Sequence, residues 1–377
     1  MKMTPDTLIA QSSRMVIKIG SALLADEKSG TVNQEWLNSV AQDVSALVKQ
    51  GKEVLIVSSG AIALGRKALG ISYSNRPSSI PLEQKQAAAA IGNVVIAHSY
   101  ADAFAPHTLQ TGLVLLSPKD TEERRSHLNA RATLLTLMEK GVVAVINEND
   151  TVSTAEIRFG DNDRLAARVA QMVGADLLIQ LSTTDGLYTG DPTQDDKAEH
   201  IPMVEEYRDD LLDMAGDAPA GLSTGGMKSK LEAARIATMA GVHMMITTGK
   251  KQNPLSPIHK ATIFKASDKP VSARKKWISS HVKSEGALII DDGAVKALQA
   301  GKSLLSAGIV KVSGDFKQGD PVDIMDKEGH KLAMGLVSYS ADETRMLIGC
   351  KSSDISDLLG YSRGDELIHR QDLVLQA

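Results

Sequence analysis

The chain has 377 residues, 42% of them hydrophobic and 23% charged, with a formal net charge of -4 and a pI near 6.2. That length predicts two domains with at least one large core. The acidic balance leaves no global basic field to hold nucleic acid or an anionic membrane. The single cysteine, Cys350, excludes an internal disulfide and a cysteine-rich zinc site, which suits a reducing cytoplasm. Met1 to Gln11 lack the apolar core of a signal peptide and no later run is long enough to span a bilayer, so the expectation is a cytoplasmic protein without a membrane partner.

In chain order, Met15 to Ile19 reads as a first buried strand, ended by Gly20-Ser21. Lys18 near its end either snorkels to solvent or points into a cleft at the strand's carboxyl end, where open α/β sheets bind ligands. Apolar spacing from Trp36 to Val48 predicts an amphipathic helix. Glu53 to Val57 reads as a second strand, and Ser58-Ser59-Gly60-Ala61 leads into a helix reaching about Leu69. That turn either presents N–H groups and hydroxyls to an anion or serves packing alone. Leu82 to His98 and Ser126 to Glu139 read as helices; Leu113 to Leu116, Val142 to Ile146 and Leu177 to Leu181 read as strands. The alternation predicts an α/β fold, an open and mainly parallel sheet sandwiched by helices.

Asn147-Glu148-Asn149-Asp150 and Gly160-Asp161-Asn162-Asp163 lie between the last two strands, the second block opening a helix through Val173. Asp161 to Asp163 either cap that helix or join the neighbouring amides and carboxylates in holding a ligand with both ammonium and carboxylate groups, such as an amino acid. The spacing is not that of an EF-hand loop. Leu181 to Pro192 reads as a loop full of turn formers.

Gly221 to Lys230, glycine-rich with lysines at 228 and 230, precedes a helix beginning near Leu231. It is either an anion cradle at a helix N-terminus or a tight turn; the P-loop spacing is absent. A strand at Val242 to Ile246 follows, then a linker over 268–283. Short β runs at Ala287 to Ile290, Ile309 to Val312, Pro321 to Met325, Ala333 to Val337 and Arg345 to Ile348, with a helix at Ala294 to Leu298, predict a small mainly-β, barrel-like domain over 284–377. Residues 269–377 carry 15 Lys/Arg and 15 Asp/Glu. That zero balance weighs against gripping nucleic acid through its phosphates.

Several blocks, in this order, resemble the amino acid kinase family: Val16-Ile17-Lys18-Ile19-Gly20-Ser21, Ser58-Ser59-Gly60-Ala61-Ile62-Ala63, Ile146-Asn147-Glu148-Asn149-Asp150, Gly160-Asp161-Asn162-Asp163, Gly186-Leu187-Tyr188-Thr189, and Thr224-Gly225-Gly226-Met227 with Lys230. The tail, with Ser303-Leu304-Leu305, Gly308-Ile309, Gly314-Asp315-Phe316 and Gly319-Asp320, resembles a PUA domain. The resemblance covers nearly the whole chain. It implies an amino acid kinase domain over 1–267 that uses MgATP to phosphorylate the side-chain carboxylate of L-glutamate, giving L-glutamyl 5-phosphate, the first step toward proline. It also implies feedback inhibition by L-proline and a homo-oligomer, a dimer or a tetramer.

Carried over block by block, the resemblance places Lys18 at the phosphates. It assigns Ser59, Asp150 and Asn162 to glutamate, helped by Ser21, Gly60 and Asn147. It places Ser182 and Thr183 at the nucleotide, and makes Thr224, Gly225, Gly226, Met227, Lys228, Ser229 and Lys230 the nucleotide-side phosphate loop. Phosphoryl transfer between two anions needs charge neutralisation and in-line positioning rather than covalent chemistry. Lys18 and Lys230 suit that role, with Asp163 orienting them; no protein group is assigned to the Mg²⁺. Helical positions two apart lie about 200° around the axis, so Lys228 and Lys230 do not both face the site, and the resemblance selects Lys230.

Two departures stand out. Ser182-Thr183-Thr184 occupies the place where relatives usually carry an aspartate, and Ser21 stands where a threonine is common. Competing readings are a relative acting on N-acetylglutamate, aspartate or carbamate, an RNA-associated protein, and a dinucleotide-dependent oxidoreductase. The balanced tail and scarce aromatics disfavour RNA, and no G-x-G-x-x-G follows the first strand.

Overall fold

The computed structural model describes residues 3–26, 29–72, 80–152, 162–192, 195, 197–214, 226–267, 284–362 and 364–375. The chain forms two compact units, residues 1–122 with 133–268, and residues 123–132 with 269–377. The expected linker, 268–283, lies outside the described residues.

The first unit is built on an eight-stranded sheet. In chain order its strands are β1 (Arg14–Ile19), β2 (Glu53–Val57), β3 (Thr111–Leu116), β4 (Val143–Glu148), β5 (Leu177–Ser182), β6 (Met203–Val204), β7 (His243–Thr248) and β8 (Ala261–Phe264). They lie in the order β6-β8-β7-β5-β1-β2-β4-β3, parallel throughout except for the β7/β8 pair. β1, β4 and β5 read as near-continuous apolar runs because both faces are covered, as parallel sheets require.

Met15, Ile17 and Ile19 point to one face, into a core with helices α1 (Gln34–Lys49) and α3 (Leu82–Phe104). Alternation sends Val16 and Lys18 to the opposite face, on which helices α4 (Asn162–Val173) and α5 (Met227–Met239) pack. The side chain of Asn33 caps α1 by accepting from the Trp36 N–H, and the helix buries Trp36, Leu37, Val40, Ala41, Val44 and Leu47, the stripe its apolar spacing predicts.

A short helix, α2 (Ala61–Arg66), follows β2 and crosses α3 with backbone touching backbone. A Cβ on Gly65 would lie 1.8 Å from the carbonyl oxygen of Ala88, and one on Gly92 would lie 1.8 Å from that of Ala61. No side chain fits there. The two glycines set how deep α3 sits beneath the turn at Ser58 to Gly60.

The second unit has a five-stranded sheet of β9 (Gly286–Ile290), β10 (Ile309–Gly314), β11 (Pro321–Met325), β12 (Lys331–Leu336) and β13 (Leu373–Leu375), with helices α6 (Asp292–Gln299) and α7 (Ala341–Met346). The strand order is β10-β9-β11-β12-β13. Leu288, Ile290, Leu298, Phe316, Val322, Ile324 and Tyr339 form its separate core.

The expected strand at Arg345 to Ile348 is a correction: the segment carries the end of α7 and the turn that follows. The Ser340 hydroxyl accepts from the Glu343 N–H at 3.3 Å and the Glu343 carboxylate accepts from the Ser340 N–H at 2.7 Å, a capping box that starts a helix. Within the apolar run only Leu347 is buried, while Met346 and Ile348 face out. The helix expected to reach Leu69 ends at Arg66, and the loop Leu181 to Pro192 contains a two-residue strand, Leu187–Tyr188, paired with His200–Ile201. The strands β6, β8 and β13 were too short to stand out by periodicity.

Candidate active site

β1 is flanked by β2 on one side and β5 on the other, so the sheet is wound outward from β1 in both directions. A crevice opens at the carboxyl ends of the strands at such a reversal, and the sequence-predicted residues gather around it.

Lys18, the penultimate residue of β1, is buried. Its Nζ lies 2.5 Å from Oδ1 of Asp163, in the first turn of α4. Lys230, in the first turns of α5, is also buried and places its Nζ 3.0 Å from Oδ2 of the same carboxylate. Ser229 donates its hydroxyl to that oxygen at 3.1 Å. Three segments far apart in sequence thus converge on one aspartate. Burial alone pushes the Asp163 carboxyl up, but the charges of Lys18 and then Lys230 outweigh it and hold the group well below the usual carboxylate range. The carboxylate is ionised at every physiological pH, and two lysine ammonium groups share it.

Lys228 is exposed while Lys230 is buried, as their opposite helical azimuths require. Gly226 is the N-cap of α5, and Met227 begins the helix. Thr224 and Gly225 lie outside the described residues, as do Gly160 and Asp161. Across the sheet, Ser182 is buried at the end of β5, where its carbonyl accepts from the Gly249 N–H at 2.8 Å; Thr183 is exposed.

On the β2 and β4 side the chemistry changes from charges to amides. Asn162 donates through Nδ2 to the Ser58 carbonyl at 2.6 Å, to Asn147 Oδ1 at 2.8 Å and to Ser59 Oγ at 3.1 Å. Asn147, buried at the end of β4, donates in turn to Asn93 Oδ1 on α3 at 2.7 Å. Gly60 adopts the left-handed conformation, φ 102°, at the start of α2, and a Cβ there would lie 3.7 Å from Ser21. Ser21, Ser59, Gly60, Asn147 and Asn162 therefore cluster about one turn.

Among the described residues, Oδ1 of Asn162 and Oδ1 of Asp150 are buried without a hydrogen-bond partner. Asp150 lies just past β4, and burial pushes its carboxyl up to about 6. Buried acceptors are almost always paired, so each of these oxygens marks a place where a ligand's donor would be stabilised.

Sequence reasoning missed three buried polar groups. Asn93 and Tyr100 sit seven residues apart on the buried face of α3, and Tyr100 donates its hydroxyl to Ser58 Oγ at 3.2 Å. Their signal was visible as polar atoms in an Ala-rich helix face. Gln180 neighbours Lys18 in the sheet register and is fully buried; the apolar run around it disguised it.

The chain is similar to known proteins along most of its length. The sequence model described as the amino acid kinase family matches residues 13–248, and that of the PUA domain matches residues 286–359. The chain is 51% identical over 367 residues, 97% of its length and 96% of the relative's, to a protein of Brucella ovis named glutamate 5-kinase. It is 52% identical over 366 residues, 96% of its length and 95% of the relative's, to one of the same name from Bartonella henselae. Among solved structures, UMP kinase from Ureaplasma parvum aligns with 16% identity and a TM-score of 0.47, covering 68% of this chain and 99% of that one.

Proposed function

The chain belongs to the amino acid kinase family, and from that premise we propose that it transfers the γ-phosphoryl group of ATP to the side-chain carboxylate of L-glutamate. The product is L-glutamyl 5-phosphate, the first intermediate toward proline. The relatives named glutamate 5-kinase match nearly end to end, and residues 286–359 are a PUA domain. The observation that carries the reading is the meeting, at the carboxyl ends of the central strands, of a two-lysine centre and buried acceptor oxygens on Asn162 and Asp150 that have no partner among the described residues.

In the reaction a glutamate carboxylate oxygen forms a bond to the γ-phosphorus while the bond to the β,γ-bridging oxygen breaks and ADP leaves. Little covalent chemistry is asked of side chains. Two anions must be brought together, and Lys18 and Lys230 offset their repulsion in a buried setting where charge acts strongly. Asp163 fixes both ammonium groups without itself exchanging protons. Asp150 and the Asn162 carbonyl take the substrate ammonium, and the Ser59 hydroxyl with the turn at Gly60 and Ser21 receives a carboxylate. Proline carries the same ammonium and carboxylate and would compete there.

The nucleotide's phosphates fit the end of α5, where Lys230, Ser229 and the helix N-terminus converge. Mg²⁺ is commonly held by substrate phosphates with one or two carboxylates rather than by an all-protein cage. On that ground the ion would accompany the nucleotide. Hydroxylamine trapping of the acyl phosphate tests the proposal: glutamate with MgATP yields hydroxamate, whereas aspartate and N-acetylglutamate yield little. Absence of a glutamate-dependent signal contradicts it.

A further inference from the structure

We propose that Asn93, on α3 and outside the pocket itself, is a positioning residue for the amino acid substrate: it sets the direction of a chain of amides that ends in the acceptor oxygen of Asn162. The inference rests on the reading of this pocket as the glutamate site. Its starting point is that an amide has two faces, and which face meets a ligand decides between attraction and repulsion.

The direction follows from a fixed end. The Ser58 carbonyl accepts only, so the Asn162 atom 2.6 Å from it is the nitrogen. The atom of Asn147 2.8 Å from that nitrogen is then oxygen. Asn147 turns its own nitrogen the other way, and the atom 2.7 Å from it is the oxygen of Asn93. Asn162 Nδ2 shares its two hydrogens among three acceptors, and the Ser59 hydroxyl, which only accepts from that nitrogen at 3.1 Å, keeps its own hydrogen for a substrate. Among the described residues, Asn162 Oδ1 is left as an unpartnered acceptor, as is Asp150 Oδ1.

Asn93 holds the far end of this chain. It is buried, and its own Nδ2 has no partner among the described residues, so it sits there at a desolvation cost. The close approach at Gly92, next to it in sequence, keeps α3 at the depth where its oxygen reaches Asn147. Remove that oxygen and a buried N–H of Asn147 loses its partner. Asn147 then rotates to recover one and withdraws the oxygen that steadies Asn162. The loss is felt by the ligand ammonium and not by the nucleotide, whose lysines are tied to Asp163.

The test is a double-mutant cycle read as separate KM values for glutamate and ATP. Asn93→Leu is expected to raise the glutamate KM about tenfold, equivalent to about 1.4 kcal/mol, with the ATP KM within about twofold. In an Asn147→Ala background the same substitution is expected to change the glutamate KM less than about twofold, because the relay is already broken. Equal effects in both backgrounds, a parallel rise in both KM values, or an unchanged glutamate KM would each overturn the assignment. Should Asn93→Leu not fold, Asn93→Ala, which withdraws the acceptor without adding bulk, carries the same cycle. A wild-type enzyme without glutamate-dependent turnover overturns the substrate reading instead, so the two failures are distinguishable.

Discussion

The lysine centre and the amide pocket meet at the carboxyl ends of the central strands and are built on opposite plans. Around Asp163 the charges are closed on one another: both carboxylate oxygens are engaged, one by Lys18 and the other by Lys230 and Ser229. Around Asn162 the polar groups are left open, with acceptors on Asn162 and Asp150 buried and without a partner among the described residues. A centre closed in this way holds both ammonium groups in place for phosphates. A site left open gains its missing bonds only from a ligand that donates, and an ammonium donor suits it best beside a carboxylate.

The largest effect should come from breaking the closed half. Asp163→Asn removes the carboxylate shared by two buried ammonium groups, at 8% and 9% side-chain exposure. A loss of about 3–5 kcal/mol in urea unfolding is expected, together with collapse of turnover; a loss under about 1 kcal/mol would show that the pairing is not structural.

Turnover separates the two lysines of α5 next. Lys230→Ala should lower kcat about 10²–10³-fold, the magnitude for one donor to a developing anion. Lys228→Ala, at an exposed position, should leave it within about twofold, the scale of surface changes. Equal losses would sink the assignment.

The open half should answer to pH. The Asp150 carboxyl is raised to about 6, so it is ionised at pH 7 and protonated at pH 5. Binding an ammonium needs the ionised form, and the glutamate KM should rise about tenfold from pH 7 to pH 5 while the ATP KM stays flat. For stability the sign is reversed: with the folded value above the ordinary 3.8, the cost of the buried charge appears as pH rises through about 6. Asp150→Asn should therefore raise Tm at pH 8 and abolish the pH dependence of the glutamate KM. A pH-independent glutamate KM in the wild type would contradict both.

The two halves were also unequally legible in the sequence. Periodicity located β1, β2, β4, β5 and β7 within one or two residues, because strands covered on both faces leave unbroken apolar runs. Lys18 drew attention as a charge inside such a run, and helical geometry separated Lys228 from Lys230. The partnership of both lysines with Asp163 joins residues far apart in the chain, and no local pattern carries it. Asn93 was harder still: one amide in an Ala-rich helix has meaning only once Gly92 has brought α3 against α2. In the second unit, Arg345 to Ile348 misled because three apolar residues outweighed a capping box lying just upstream at Ser340 and Glu343.

The most direct test of a divided site is calorimetric titration of glutamate, without nucleotide, into Asn162→Ala and Lys230→Ala. The account predicts that Asn162→Ala weakens glutamate binding about tenfold or more, while Lys230→Ala leaves it within about threefold. Equal weakening by both, or the greater loss in Lys230→Ala, would contradict the division of the site into a charge-closed half for phosphates and an open amide half for the amino acid.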